Sequence, residues 1–420
     1  MNENILTIAE NIQQDYGLND YVLKRNTIYS ETTLANQTSY ILSLEWVPSS
    51  LVVEDADDYN PSGSAILEID LHTQGLKRIN FVQDTSYANE EVFPSPQIEN
   101  VIEWVEEKTG MMFGRQFKLV HEDGRDFSFH ATVDNIDVAP SGSIDVTFNE
   151  NEQLTSFSID GVFPTEDQIN WEPLSITKEA ITDELLKHFT LVETPYEHEE
   201  AWLNLWHMKQ FYVLNDLSRT IYPESVFQLD TFIDLDVVME WETAQKKEFY
   251  PEEVDFSTDI SYEDAIAKKT VKSPITDEEL QTSIDETRSF LSCVYTDDSG
   301  RWLLTGMYPE KGFIIAELTS IQDSKRALQR KVKVIINRNT YRVANYWDSK
   351  IILDRFMRFK EAQAIDVNQE TAFNMIKDAI TITPVYVKES NSDRYLLCGR
   401  VDCDDVIDAS SGNKIHLNDL

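Results

Sequence analysis

The chain has 420 residues, 41% of them hydrophobic, with 8 Trp, 17 Tyr and 20 Phe. That apolar content supports sizeable cores and excludes global disorder. Its 36 Lys+Arg stand against 75 Asp+Glu, a net charge of −39, which disfavours nucleic-acid backbones and anionic membranes as partners and attracts cationic ones or metal cations.

In chain order, the first helical pattern carries Ile5, Ile8, Ala9 and Ile12 on one face. Residues Ala65 to Leu71 and Leu76 to Val82 alternate as strands around the turn Thr73-Gln74-Gly75. Ser95-Pro96 reads as an N-cap followed by proline at the first helical position, with Ile98, Val101, Ile102 and Val105 inward and Gly110 as the stop. Phe117 to Val120 turns at Asp123-Gly124 and returns through Phe127, Phe129, Ala131 and Val133. Ile144, Val146 and Phe148 alternate up to a turn at Asn149 to Glu152. A third helix follows Thr177, with Ile181, Leu185 and Phe189 inward.

A short helix starts at Ser261 and runs to Ile266. The next start is the fullest: Thr276 and Glu279 form a capping box, Ile275 and Leu280 sit at staple positions, and Ile284 and Leu291 continue the face. Val332, Val334 and Ile336 turn near Asn337 to Asn339 and return through Tyr341 and Val343. A fifth helix starts near Asp366, with Ala372, Phe373, Ile376 and Ile380.

No βαβ pattern recurs, so the expected fold class is α+β: repeated units of an amphipathic helix packed on a curled antiparallel sheet. Helix starts at intervals of roughly 80 to 100 residues point to duplication of one unit. The charged stretch 242–259 is the expected linker between an N-terminal half, 1–241, of two to three such units and a C-terminal half, 260–420.

Two segments share a pattern. Gly63-Ser64-Ala65-Ile66-Leu67-Glu68-Ile69-Asp70 leads to Gly75 and Leu76-Lys77-Arg78-Ile79, and Gly142-Ser143-Ile144-Asp145-Val146-Thr147-Phe148 leads to Leu154-Thr155-Ser156-Phe157. The chain ends with Pro384 to Val387, Tyr395 to Leu397, then Val406-Ile407-Asp408-Ala409 and Gly412. This arrangement resembles the YcdB/YcdC repeated domains of Gram-positive bacteria and, more distantly, PepSY-type modules, over most of residues 63–190 and 365–417. The resemblance implies helix-plus-strand units ending in an Asp-Ala-x-x-Gly hairpin. It implies no reaction, and through PepSY modules it implies inhibition or chaperoning of a peptidase. The chain departs from the pattern where Asn-Glu-Asn-Glu replaces a turn glycine at 149–152. Family members are mostly exported, whereas no signal peptide is visible here and no apolar run is long enough to span a bilayer. Three cysteines, Cys293, Cys398 and Cys403, make no disulfide framework. A cytoplasmic location is expected.

Catalytic motifs are missing. His198-Glu199 and His121-Glu122 each begin a zinc-peptidase pattern, but Trp202 and Arg125 stand where the second histidine is needed. Neither a GxSxG elbow, a P-loop nor a GxGxxG is present. Two acidic clusters, Asp55/Asp57/Asp58 and Asp402/Asp404/Asp405/Asp408, lack the ligand spacing of a calcium loop; the first reads as a solvated loop before Pro61-Ser62-Gly63 and the second as alternating in a strand and turn. No cofactor, metal or catalytic residue is therefore expected.

The densest unusual cluster runs from His188 through His198, Glu199, Glu200, Trp202, Trp206 and His207. With Tyr212 and Trp302, the residues His198, Trp202, Trp206 and His207 are the candidate ligand or partner surface, on sheets where an extended peptide could add. Core packing accounts for the same aromatics. The expected function is a non-enzymatic interaction or inhibitory module recognising another polypeptide, a cationic one being favoured by the field. The alternatives are a hydrolase using carboxylates scattered in sequence, and an immunity protein against a basic toxin.

Overall fold

The computed structural model describes residues 2–33, 38–51, 60–229, 231–244, 248–256, 260–267, 274–389 and 392–420. They form a mixed α+β fold in which strand outweighs helix and the sheets stay open. Two compact units interleave along the chain. One comprises Met1–Pro173, Ser257–Thr270 and Pro384–Leu397; the other comprises Leu174–Phe256, Val271–Thr383 and Cys398–Leu420. The halves 1–241 and 260–420 follow chain continuity, whereas these units follow compactness.

The first unit holds an extended sheet. Its strands lie in the order Tyr21–Thr32, Thr38–Pro48, Ala65–Asp70, Leu76–Phe81, Leu154–Asp160, Ser143–Phe148, Asp126–Val133, Ile136–Ala139, with Phe117–Asp123 also paired to Asp126–Val133. The two hairpins that share the Gly-Ser sequence pattern are neighbours, joined where Arg78, Ile79 and Asn80 face Ser158, Phe157 and Ser156. The sheet is not purely antiparallel, as the hairpin signals predict. Val385, Tyr386 and Val387 pair in parallel with Asp137, Val138 and Ala139. Partners so far apart in sequence leave no local turn signal.

Helix Glu3–Asp15 buries Ile5, Ala9 and Ile12, the predicted face. Helix Ile98–Thr109 buries Val101, Trp104 and Val105, and Trp104 meets Phe157 edge-on with centroids 5.1 Å apart. Gly110 ends it at φ 70°, the left-handed conformation glycine adopts without penalty. The start differs from the prediction: Gln97 is the N-cap, and Ser95 and Pro96 stand just before it, outside the helix. Ser95 Oγ instead accepts from Asn100 Nδ2 at 2.7 Å.

On the same sheet Arg78 is an electrostatic hub. It donates to Glu31 at 2.9 Å, to Glu68 at 2.9 Å and to the Tyr29 hydroxyl at 3.3 Å, and it also pairs with Asp160. One half-buried cation thus balances three carboxylates.

The second unit has two further sheets and two cores. Five antiparallel strands, Ile233–Met239, Trp302–Glu310, Phe313–Ser320, Lys331–Asn337 and Arg342–Asp348, lie in chain order. Their inward residues, among them Met239, Trp302, Leu304, Ala316 and Val334, pack with Ile284, Phe290 and Leu291 of helix Asp277–Val294. The predicted capping box is present, with Thr276 and Glu279 exchanging hydrogen bonds. Arg338 clamps Glu279 from outside at 2.7 and 2.8 Å, and this guanidinium holds the carboxyl down at about 2.

The other sheet orders Phe189–Tyr196, Ala201–Met208, Asp405–Asp408 and Lys414–His416. It shares a core with Ala372, Phe373 and Ile376 of helix Gln369–Ile376. That helix starts later than predicted, because Asn368 rather than Asp366 accepts the first-turn N–H, from Thr371. The helix after Thr177 is split into a 3₁₀ turn, Glu179–Ile181, and Thr182–His188. Phe189 already belongs to the following strand.

Candidate functional site

Strands Phe189–Tyr196 and Ala201–Met208 form a hairpin whose turn passes through Glu200 at φ 48°. Side chains alternate along a strand, so Trp202 and Trp206 share one face while His207 takes the other. Trp206 stacks on Phe189 at 5.9 Å and donates through Nε1 to the Val367 carbonyl at 2.8 Å. His207 faces Thr190 in register, with Nε2 3.4 Å from its hydroxyl. Burial, then Lys209, lowers the His207 pKa, favouring the neutral ring.

His198 stands exposed in the turn, edge-on to Tyr196. Tyr212 is buried on strand Phe211–Leu214, opposite Arg400 in register, and burial raises its hydroxyl pKa. Trp302 lies in the core of the five-stranded sheet, 5.2 Å from both the Tyr295 ring and the Arg330 guanidinium. The structure does not gather the six residues into one groove. Trp206, Tyr212 and Trp302 are packing residues, while Trp202 organises something further.

That something is the segment Trp347–Lys360. Phe356 is buried and meets Trp202 edge-on at 6.1 Å. The Arg326 guanidinium covers Trp202 at 4.3 Å. The Trp202 N–H donates to the Lys360 carbonyl at 2.9 Å, and the Lys360 N–H donates to the Glu200 carbonyl at 2.9 Å. Arg355 pairs with Glu197. At the other end Asp348 accepts from the Lys350 N–H at 2.8 Å while held by Arg330 at 2.6 and 3.0 Å. Both ends of the segment are therefore fixed.

Between them run two short helical turns, Lys350–Leu353 and Asp354–Phe356. Leu353, Phe356 and Phe359, three apart, are at least half-buried. The rest of the apolar side chains face out: Trp347 is 46% exposed, Ile352 58%, Met357 74% and Ile351 86%. Lys350, Arg358 and Lys360 are exposed beside them, and no carboxylate among the described residues forms an ion pair with any of the three. An exposed apolar set on a fixed backbone, rimmed by charge, is the composition of a binding surface. Sequence reading found its anchor, Trp202, but missed the segment. The available signal was the run Lys-Ile-Ile-Leu-Asp-Arg-Phe-Met-Arg-Phe-Lys, basic within an acidic chain.

A second feature is a cavity of about 520 Å³ lined by Glu179, Asp183, Glu184, Lys187, Arg219 and Tyr222, among others. Behind it His188 stacks on Phe211 at 4.0 Å, with Nδ1 2.7 Å from the Glu184 carbonyl oxygen. Glu184 Oε2 is buried without a hydrogen-bond partner, 3.7 Å from that ring nitrogen. The Glu179 backbone N–H and then Thr177 lower the Glu179 pKa, so that carboxylate carries no proton to donate near neutrality.

Among the described residues no group of three or more His, Cys, Asp or Glu is placed to hold a metal ion. Three of the four carboxylates at Asp402, Asp404, Asp405 and Asp408 are spent on structure: Asp405 pairs with Lys414 at 2.8 Å, Asp402 accepts from the Cys403 N–H, and Asp408 accepts from Ser410 and Ser411. Asp55, Asp57 and Asp58 lie outside the described residues. No helix among the described residues is long and apolar enough to cross a membrane.

No protein-family model matches the chain, and no curated protein matches it. Among solved structures, the Bacillus megaterium YpeB C-terminal domain is similar at 8% identity, covering 83% of this chain and 97% of that one, with a TM-score of 0.26. A score of that size carries no argument about this chain.

Proposed function

We propose that this chain is a non-enzymatic interaction module that recognises another polypeptide through the surface pinned by Trp202. The observation that carries the proposal is the outward placement of Ile351, Ile352 and Met357 on a segment held at both ends. Leaving such side chains in water forgoes about 1.5–3 kcal/mol of burial each. A partner that covers them recovers that energy without ordering the backbone first.

The helix-on-sheet units, their origin by duplication, and kinship with YcdB/YcdC domains and PepSY modules belong to the same proposal. It draws support from the two adjacent Gly-Ser hairpins in one sheet. A partner protein retained from native lysate at low salt by the wild-type chain, and lost with Ile351→Asp/Met357→Asp, is the expected result. An identical retained set on both proteins sinks the proposal.

The cavity at Glu184 favours a second reading, a hydrolase. Turnover of an ester, peptide or glycoside substrate that disappears with Glu184→Gln supports it. Equal turnover by both proteins removes it.

A further inference from the structure

We infer that the polypeptide segment bound at Trp347–Lys360 is acidic and amphipathic, an inference that rests on the reading of this surface as a polypeptide site. The chain carries −39 overall, yet the run Trp347–Lys360 itself carries a net +2. Within Trp347–Lys360 there are four cations, Lys350, Arg355, Arg358 and Lys360, and two carboxylates, Asp348 and Asp354. Asp348 is taken by Arg330, and Arg355 is taken by Glu197. Lys350, Arg358 and Lys360 remain for a partner, against the one exposed carboxylate of Asp354, in the run that also exposes Trp347, Ile351, Ile352 and Met357.

Apolar anchors at the centre with charge at the rim set specificity by complementarity, so the rim selects carboxylates. Three alternative occupants fit less well. A basic segment meets three like charges against the single carboxylate of Asp354. An anionic bilayer presents a broad plane of charge to a chain of its own sign, and only a few cations lie on the approaching face. A second copy brings another −39 with it. A short acidic helix engages the local surface alone, because charges beyond about 8 Å are screened at physiological salt. Its apolar stripe, at three- and four-residue spacing, covers the isoleucines and Met357 while its flanking Glu or Asp side chains reach the cations.

The test uses the full chain and two fluorescent helical peptides about five turns long. Both carry the same leucine stripe; one is flanked by Glu and the other by Lys. Each exposed ion pair contributes roughly two- to fivefold, so the wild-type chain is expected to prefer the Glu peptide by about tenfold or more at physiological salt, where the field of the rest of the chain is screened. The preference shrinks as salt rises beyond that and screens the local pairs as well. The variant Lys350→Glu/Arg358→Glu/Lys360→Glu reverses it, and Ile351→Asp/Ile352→Asp/Met357→Asp binds neither peptide. Because every substituted side chain is exposed, both variants are expected to melt with the wild type, which thermal unfolding checks.

Equal binding of the two peptides, or preference for the Lys peptide, overturns the acidic inference and leaves the polypeptide surface standing. Binding of neither peptide by the wild type, or unchanged binding by the Asp variant, overturns the surface itself. Two controls complete the test. Co-sedimentation with phosphatidylglycerol vesicles that is lost with the Asp variant, or concentration-dependent dimerisation lost with it, reassigns the surface to lipid or to a second copy and overturns the inference.

Discussion

Phe356 lies edge-on against Trp202 with ring centroids 6.1 Å apart. With the backbone bonds at Lys360, that contact lets a hairpin tryptophan that alternates inward hold a segment more than 150 residues later, whose neighbouring aliphatics face water. Stability and exposure are thus divided between adjacent residues of the same short run.

That division is measurable. Phe356→Ala removes a buried ring and is expected to cost about 3 kcal/mol in chemical unfolding. Ile351→Ser, at an 86% exposed position, is expected to change stability by less than about 0.5 kcal/mol. Equal losses at both positions would show that Ile351 is packed in solution.

The hub at Arg78 makes a charge-specific prediction. Arg78→Met leaves Glu31, Glu68 and Asp160 facing one another without their shared cation. The variant is expected to lose about 2–4 kcal/mol at neutral pH. The gap to wild type narrows as pH falls towards about 4 and the carboxylates protonate. A pH-independent gap in urea midpoints would assign the loss to packing alone.

Asp348 ties Arg330, Tyr295 and the start of the exposed segment together. Burial raises its pKa, but Arg330, the Lys350 N–H and the Tyr295 hydroxyl outweigh that and hold the carboxyl below its ordinary range. A depressed carboxylate adds stability that is complete above the unfolded pKa and is lost as pH falls through the folded one. The wild type is therefore expected to lose stability on acidification below about pH 4, and Asp348→Asn to show a shallower slope. Parallel slopes in thermal melts would remove Asp348 from the account.

Thr276→Ala breaks the capping box on helix Asp277–Val294 and is expected to cost about 1 kcal/mol. Glu279 is held at about 2 mainly by Arg338. Its share of stability is therefore present above the usual carboxylate range and lost as pH falls towards 2. Arg338→Met should bring that loss up to a higher pH. Calorimetry across pH 2 to 5 distinguishes the two variants.

Much of the local structure was legible. The capping box at Thr276, the glycine stop at Gly110, and the hairpins at Gly75, Gly124 and Asn149 stand where their residue chemistry puts them. Ser95 is not the cap its chemistry suggests, and the helix expected near Asp366 starts at Gln369, because any short polar residue near a helix start satisfies the pattern. Geometry alone decides which side chain reaches the orphan N–H, and here Asn368 does so at its helix while Gln97 stands at the other. Of the six candidate residues, alternation correctly puts Trp202 and Trp206 on one face, but it carries no information about what covers that face.

The sequence by itself determined the amphipathic helices and the tight hairpins, because caps, turns and side-chain period act within about ten residues. It also determined the average charge. Only the tertiary structure decided that Val385 pairs beside Asp137, that Trp302 joins the core of the five-stranded sheet while Tyr212 is buried on a strand of another sheet, and that Phe356 turns in while Ile351 turns out. Those outcomes depend on contacts between residues far apart in the chain. Such contacts form when distant apolar surfaces compete for the same core, and a local pattern cannot report who wins.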